Sequence, residues 1–218
     1  FGALWRESGC VELPQSEEIM TRAERRRDMI QRRKDEFADT AQAGVDRNKE
    51  EQTVIESKLW DVNDKLTEGE YESAIEITNE ILELDQENAN AYVLRAIGKR
   101  NLERYEEAIE DSTRAIELDQ KNPVAYHSRG IAKSELERYK EAIEDYSEAI
   151  DLDPENPAVY DSRGIAKREL EFYEEAIDDY SEAIKLDPEN SAFYHRRGNA
   201  KSELEQYEEA IEDYSEAI

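Results

Sequence analysis

The chain has 218 residues, enough for one or two domains with a sizeable core. Its 56 Asp and Glu against 29 Lys and Arg give a formal net charge of −27, which sets the body of the chain against nucleic acid, whose phosphates it would repel. Its one cysteine, Cys10, excludes an intrachain disulfide, and no apolar run approaches the ~18 residues a membrane-spanning helix needs.

The charge is uneven along the chain. Residues 1–54 carry ten basic and twelve acidic side chains, whereas residues 55–218 carry 19 and 44. Two regions are therefore expected: a charged, partly helical arm over 1–54 and a repeat region over 55–218. The acidity of the second suits a solvated surface, or adaptation to salt or to basic partners. The chain opens on Phe1 and not on Met, and so reads as a mature or partial chain whose compartment is not legible.

In the arm, the apolar stretch FGALW is expected to insert into something. Ser16, followed by Glu17 and Glu18, has the chemistry of a helix start. The run TRAERRRDMIQRRKDEF then gathers Arg22, Arg25, Arg26, Arg27, Arg32, Arg33 and Lys34. Ala23, Ile30 and Phe37 fall seven apart, a narrow docking stripe too short for a coiled coil. Gly44 is expected to end this helix. The arm reads as a solvated charged helix folded on the acidic region; docking to an acidic partner or an anionic lipid surface, and contact with RNA, are the alternatives.

The second region repeats. YSEAI occurs at 146–150, 180–184 and 214–218, a spacing of 34 residues each time. On that period whole columns align: Tyr92, Tyr126, Tyr160, Tyr194; Leu102, Leu136, Leu170, Leu204; Tyr71, Tyr105, Tyr139, Tyr173, Tyr207; Ala74, Ala108, Ala142, Ala176, Ala210. Within one unit, apolar residues fall at helical spacing over Tyr126, Gly130 and Ile131, and again over Tyr139, Ala142, Ile143, Tyr146 and Ala149. Each unit is thus two helices. DPENP at 153–157 separates units, since Pro154 cannot continue a helix and Asn156-Pro157 suits a cap and a first helical position. Gly130 and Ala142 are small where two helix backbones approach. No unit can bury its apolar stripe alone, so the units must stack.

Tyr126, Gly130, Tyr139, Ala142, Tyr146, Ala149 and Pro154 resemble the tetratricopeptide signature, and Tyr160, Gly164, Tyr173, Ala176, Tyr180, Ala183 and Pro188 repeat it. The resemblance covers about three-quarters of the chain, in units 55–88, 89–122, 123–156 and 157–190 and a shortened one at 191–218. It implies an all-α, right-handed superhelical solenoid of helix-turn-helix units preceded by the charged helical arm. The first unit departs: KLWDVNDKL lacks the Tyr and the Gly. Unit two has Ala96 where later units have Gly130, Gly164 and Gly198.

Two charged columns invite a chemical reading. Arg95, Arg129, Arg163 and Arg197 recur, and Asp111, Asp145, Asp179 and Asp213 follow sixteen residues later. They form either an anion-binding ladder or a structural bond within each unit. The first unit has Asp61 and Ile77 at the two places, losing both members together, and this favours the structural bond. His127 and His195 lie two units apart without Cys or a carboxylate at ligand spacing, so groove-lining histidines are expected, not a metal site. No phosphate loop, nucleophile elbow or Ser/His/Asp set is present. Catalysis, cofactor and metal are not expected.

In proteins of this kind the first helix of each unit lines a concave groove that holds a peptide or partner helix. Carried over, that groove comprises Val93, Leu94, Ile97 and Arg100; His127, Ser128, Ile131 and Ser134; Asp161, Ser162, Ile165 and Arg168; and His195, Arg196 and Asn199. Ile97, Ile131 and Ile165 make an apolar spine broken by Arg100, Arg168 and Arg196, suited to a segment with apolar anchors and some acidic character. Val93, Ile97 and Ser128 stand where some relatives carry a Lys/Asn clamp for chaperone tails, which disfavours that role. The expected function is a non-catalytic scaffold or adaptor holding a protein partner or peptide segment within a larger assembly. Two alternatives stand beside it: a regulatory or substrate-recruiting domain of a larger enzyme, and an accessory or assembly subunit of a membrane complex. Peripheral membrane contact would run through the arm. The last unit stops before the Leu-Asp-Pro that closes the two units before it, exposing Tyr207, Ile211 and Tyr214; continuation of the chain, or cover by another chain, is expected there.

Overall fold

The structure, a computed structural model, describes residues 22–217. The FGALW stretch, Cys10 and the Ser16 helix start lie outside the described residues. Those described form helices and no strand: α1 (Arg22–Glu68), α2 (Tyr71–Leu84), α3 (Ala89–Asn101), α4 (Tyr105–Leu118), α5 (Pro123–Glu135), α6 (Tyr139–Leu152), α7 (Pro157–Glu169), α8 (Tyr173–Leu186), α9 (Ser191–Glu203) and α10 (Tyr207–Glu216). None of these helices is long and apolar enough to cross a membrane. Two compact units result, Phe1–Gln52 and Thr53–Ile218.

In the first unit α1 runs straight through Gly44, against the sequence expectation of a break there. A single helical glycine costs about 1 kcal/mol relative to alanine, and no proline or cap residue adds to it. Arg26, Arg27, Arg32, Arg33 and Lys34 are exposed, as are Met29, Ile30 and Phe37, the last by 77%. The side chains of Arg22, Ala23 and Arg25 lie outside the described residues.

The second unit is built from helix pairs. Asn88, Asn122, Asn156 and Asn190 cap the first helix of successive pairs, each side chain accepting a backbone N–H of the first turn. Pro123 and Pro157 follow two of these caps at the first helical position, where no N–H is needed. The first helix of each pair ends in a left-handed residue: Gly69 in the first pair (φ 79°), then Glu103, Glu137, Glu171 and Glu205 at φ 57–62°. The next residue donates back five positions, as Arg104 N–H does to the Lys99 carbonyl at 2.9 Å. Four glutamates thus occupy a conformation that costs an L-residue roughly 1–2 kcal/mol.

Helices pack in sequence order, α2 on α3 through α9 on α10, and α3 also touches α5 as α5 touches α7. Among the described residues, second helices make no such contact of comparable extent. The first helices are therefore the closer set, on the inner side of the curve. The core is small and repetitive: Ala74, Ala108, Ala142, Ala176 and Ala210 are at most 2% exposed. Tyr146 and Tyr180 fill the space between helices, lying over Gly130 and Gly164. A Cβ on Gly130 would stand 2.6 Å from Tyr146 Cε1. The departures of the early units now have a cause. Unit two carries Ala96 with Ser112, and unit one Val62 with Thr78, so a larger residue on the first helix meets a smaller one on the second.

Candidate groove and its polar ties

The inner face presents one register from each of α3, α5, α7 and α9. Leu94, Ile97 and Arg100, then His127, Ile131 and Ser134, then Asp161, Ser162, Ile165 and Arg168, then Arg196 and Asn199 are all half-buried there, and His195 is exposed. Two of the expected lining residues are not surface at all. Val93 is 4% exposed, packed with Ala115 and Ala125, and Ser128 is 3% exposed. They are taken into the joint between units two and three.

That joint follows a rule that runs along the groove. His127 Nε2 lies 3.1 Å from Ser162 Oγ. The Ser162 hydroxyl donates to the Ala158 carbonyl at 2.8 Å, which leaves the imidazole Nε2–H as donor to the serine oxygen. One unit on, Arg196 Nη1 donates to both Asp161 oxygens at 2.9 and 2.7 Å. Each rung joins a residue to the one 35 positions later, and the same register sets Val93 opposite Ser128. That rung is apolar on one side, and Ser128 Oγ accordingly has no hydrogen-bond partner. Beyond the rungs, Tyr214 donates to Asn199 Oδ1 at 2.9 Å, which holds Tyr214 half-buried while Tyr207 and Ile211 stay exposed.

The charged columns pair within units. Arg95, Arg129, Arg163 and Arg197 each donate Nε and Nη2 to the two oxygens of Asp111, Asp145, Asp179 and Asp213, at 2.6–3.0 Å. The third nitrogen reaches the preceding unit, to Asn79, Thr113, Ser147 and Ser181 at 2.7–3.3 Å. Each guanidinium also lies 5.2–5.8 Å from the ring of Tyr92, Tyr126, Tyr160 or Tyr194. All three nitrogens of each guanidinium are engaged and its charge is met by a carboxylate, which argues against a ladder of anion sites. The pairing expected from the first unit's joint loss of both residues holds.

A second cation was not anticipated. Lys99, Lys133, Lys167 and Lys201 bind the same four carboxylates at 2.7–2.8 Å. The column was visible in the sequence, but lysine on a charged helix reads as solvated. Unit one holds the clue: Lys65 occupies the column, Ile77 replaces the aspartate, and Lys65 turns instead to Glu68 and Glu70 at 2.9 Å. Burial alone would raise the Asp213 carboxyl, but hydrogen bonds from Arg197 and Lys201 outweigh it and hold it below its ordinary range.

His127 packs edge-on to Tyr146 at 5.8 Å. Desolvation, and then the positive charge of Arg100, push its imidazole down to about 4 from 6.5. The unfolded chain therefore takes up the proton first, and stability falls as pH drops from the ordinary histidine range towards 4. Unfolding in urea should show a loss of about 2 kcal/mol between pH 7 and pH 5. His127→Gln, which keeps a side-chain donor towards Ser162, should remove most of that slope; an unchanged slope would place the titrating group elsewhere.

Family models described as tetratricopeptide repeat match residues 89–122 and 123–156, and one described as TPR repeat matches 164–205. No curated protein matches the chain. Among solved structures, MamA from Desulfovibrio magneticus RS-1 superposes with a TM-score of 0.67 at 19% identity, over 75% of this chain and 92% of that one. The Pseudomonas aeruginosa pilF structure gives 0.71 at 20% identity, over 77% and 76%. YrrB, described as a TPR protein with an unusual peptide-binding site, gives 0.61 at 22% identity, over 74% and 83%. At these identities the likeness is one of fold.

Proposed function

Because the chain belongs to the tetratricopeptide-repeat family, we propose that it is a non-catalytic scaffold or adaptor whose concave face holds an extended or helical segment of a partner protein, within a larger assembly. The observation that carries this reading is the spine. Ile97, Ile131 and Ile165 lie half-buried, one per unit, on the first helices, where the solenoid's own packing leaves them partly uncovered. Around them the polar groups are mostly tied to one another across units, so the lining is preorganised. A rigid apolar strip with a few polar points suits a segment that contributes apolar anchors. We assign residues 1–54 a separate role as a charged arm, a reading supported by the exposed Arg26, Arg27, Arg32, Arg33 and Lys34.

The test is affinity capture with the intact chain, followed by crosslinking to locate the contact. Ile131→Glu together with Ile165→Glu should abolish capture while far-ultraviolet circular dichroism stays unchanged. Capture that survives both substitutions would move the binding site off the groove.

A further inference from the structure

Three arginines stand in the groove, and two of them are already matched. Arg196 holds Asp161 at 2.7 and 2.9 Å. Arg168 Nη2 donates to Glu169, the next residue on its own helix, at 2.5 Å. Arg100 occupies the register of Arg168 two units earlier. In the column of Glu169 the later units have Glu135 and Glu203, but the residue after Arg100 is Asn101. The Asn101 amide donates to the Ile97 carbonyl at 2.8 Å, turned back on its own helix. Among the described residues no carboxylate comes within ion-pair distance of Arg100.

The position is costly for a bare cation. Arg100 is half-buried, and desolvation favours its neutral form. Glu135 acts on it only from beyond ion-pair distance. His127 beside it is held neutral and supplies no counter-charge. A partly dehydrated guanidinium with open donors is the best side-chain match for a carboxylate, which it can grip with two parallel hydrogen bonds.

We propose that Arg100 is a recognition site for one Asp or Glu side chain of an extended partner segment whose aliphatic residues lie on Ile97 and Ile131. This rests on the groove reading above and adds the chemistry of the occupant. Charge sets the limit on that occupant. Residues 55–218 carry 44 acidic against 19 basic side chains, so a polyanion or a run of acids is repelled, and a single carboxylate among aliphatic residues is admitted. Ile97 stands one turn back on the same helix and Ile131 in the next unit, so apolar anchors lie beside the guanidinium.

The experiment selects a displayed random-peptide library on the intact chain and on Arg100→Gln, Asn101→Glu and Ile131→Glu. Asn101→Glu keeps the arginine and gives it the neighbour that Arg168 has. Peptides enriched on the unmodified chain should share one Asp or Glu at a fixed place among aliphatic residues. Changing that Asp or Glu to its amide should weaken binding about tenfold. Arg100→Gln and Asn101→Glu should each weaken the parent peptide by a similar factor, and the amide peptide should bind Arg100→Gln no worse than its parent does. Enriched peptides without a fixed acid, or a parent peptide that binds Arg100→Gln and Asn101→Glu as tightly as it binds the unmodified chain, would overturn the site while leaving the groove in place. No enrichment on the unmodified chain, or enrichment untouched by Ile131→Glu, would overturn the groove reading and the site with it.

Discussion

Gly130→Val should destabilise the solenoid by about 3 kcal/mol, at the upper end of what overpacking a core costs. The new Cβ would fall 2.6 and 2.8 Å from Tyr146 Cε1 and Cδ1. Tyr146 is 2% exposed, so its ring is held among its neighbours and not at the surface. Valine's better helix propensity returns only a fraction of 1 kcal/mol. The chain contains its own control, because Val62 already stands opposite Thr78 in unit one. Tyr146→Thr alone should cost several kcal/mol by leaving a cavity, yet Gly130→Val added to it should cost little more. Urea unfolding of the two single variants and the double variant measures the coupling, expected at about 2 kcal/mol. Additive losses would show that the ring is not what the glycine accommodates.

Asp145→Asn should cost as much or more, roughly 3–5 kcal/mol. Asp145 is 4% exposed and meets both Arg129 at 2.6 Å and Lys133 at 2.7 Å. Removing its charge leaves two cations facing each other with only a neutral amide between them. Arg129→Met should be milder, since Asp145 keeps Lys133. The asymmetry is the point of the measurement: if the arginine variant were the more damaging, the carboxylate would not be the hub. Acid has the same effect by another route. A carboxyl held low in the fold, as Asp213 is, contributes stability above its ordinary range and loses it as pH falls through the depressed value. That loss lies below the histidine window, so the two separate along a pH series.

Much of this architecture could be read from the chain before any coordinates. A period of 34 residues, a proline or asparagine at each unit boundary and a fixed apolar pattern leave stacked helix pairs as the only economical burial. The Arg–Asp bond was legible because unit one lacks both members. The lysine on the same carboxylate was not, since Lys65 persists in unit one where the aspartate is lost, so the two columns do not vary together. The groove rungs escaped for a different reason. They join residues 35 apart, across a joint, and alignment on the repeat compares positions that never meet. The same blindness put Val93 and Ser128 on the surface when they belong to the joint. Gly44 was misjudged because a glycine reads as a stop, whereas one glycine in a long helix is a modest penalty.

The third nitrogen of each arginine makes the joints interchangeable while the groove is not. Arg163 meets Ser147 and Arg197 meets Ser181, the same bond at 3.1 Å in both places. Excising residues 151–184 would bring Arg197 to Ser147 with the hinge chemistry intact. The same cut would set His127 against Arg196 in place of Ser162, and orphan Tyr214 from nothing it now holds. Length is therefore a cheap variable for this chain and the order of its inner residues an expensive one. A lineage could add or drop whole periods without refolding, but every such event would rewrite the message the concave face presents.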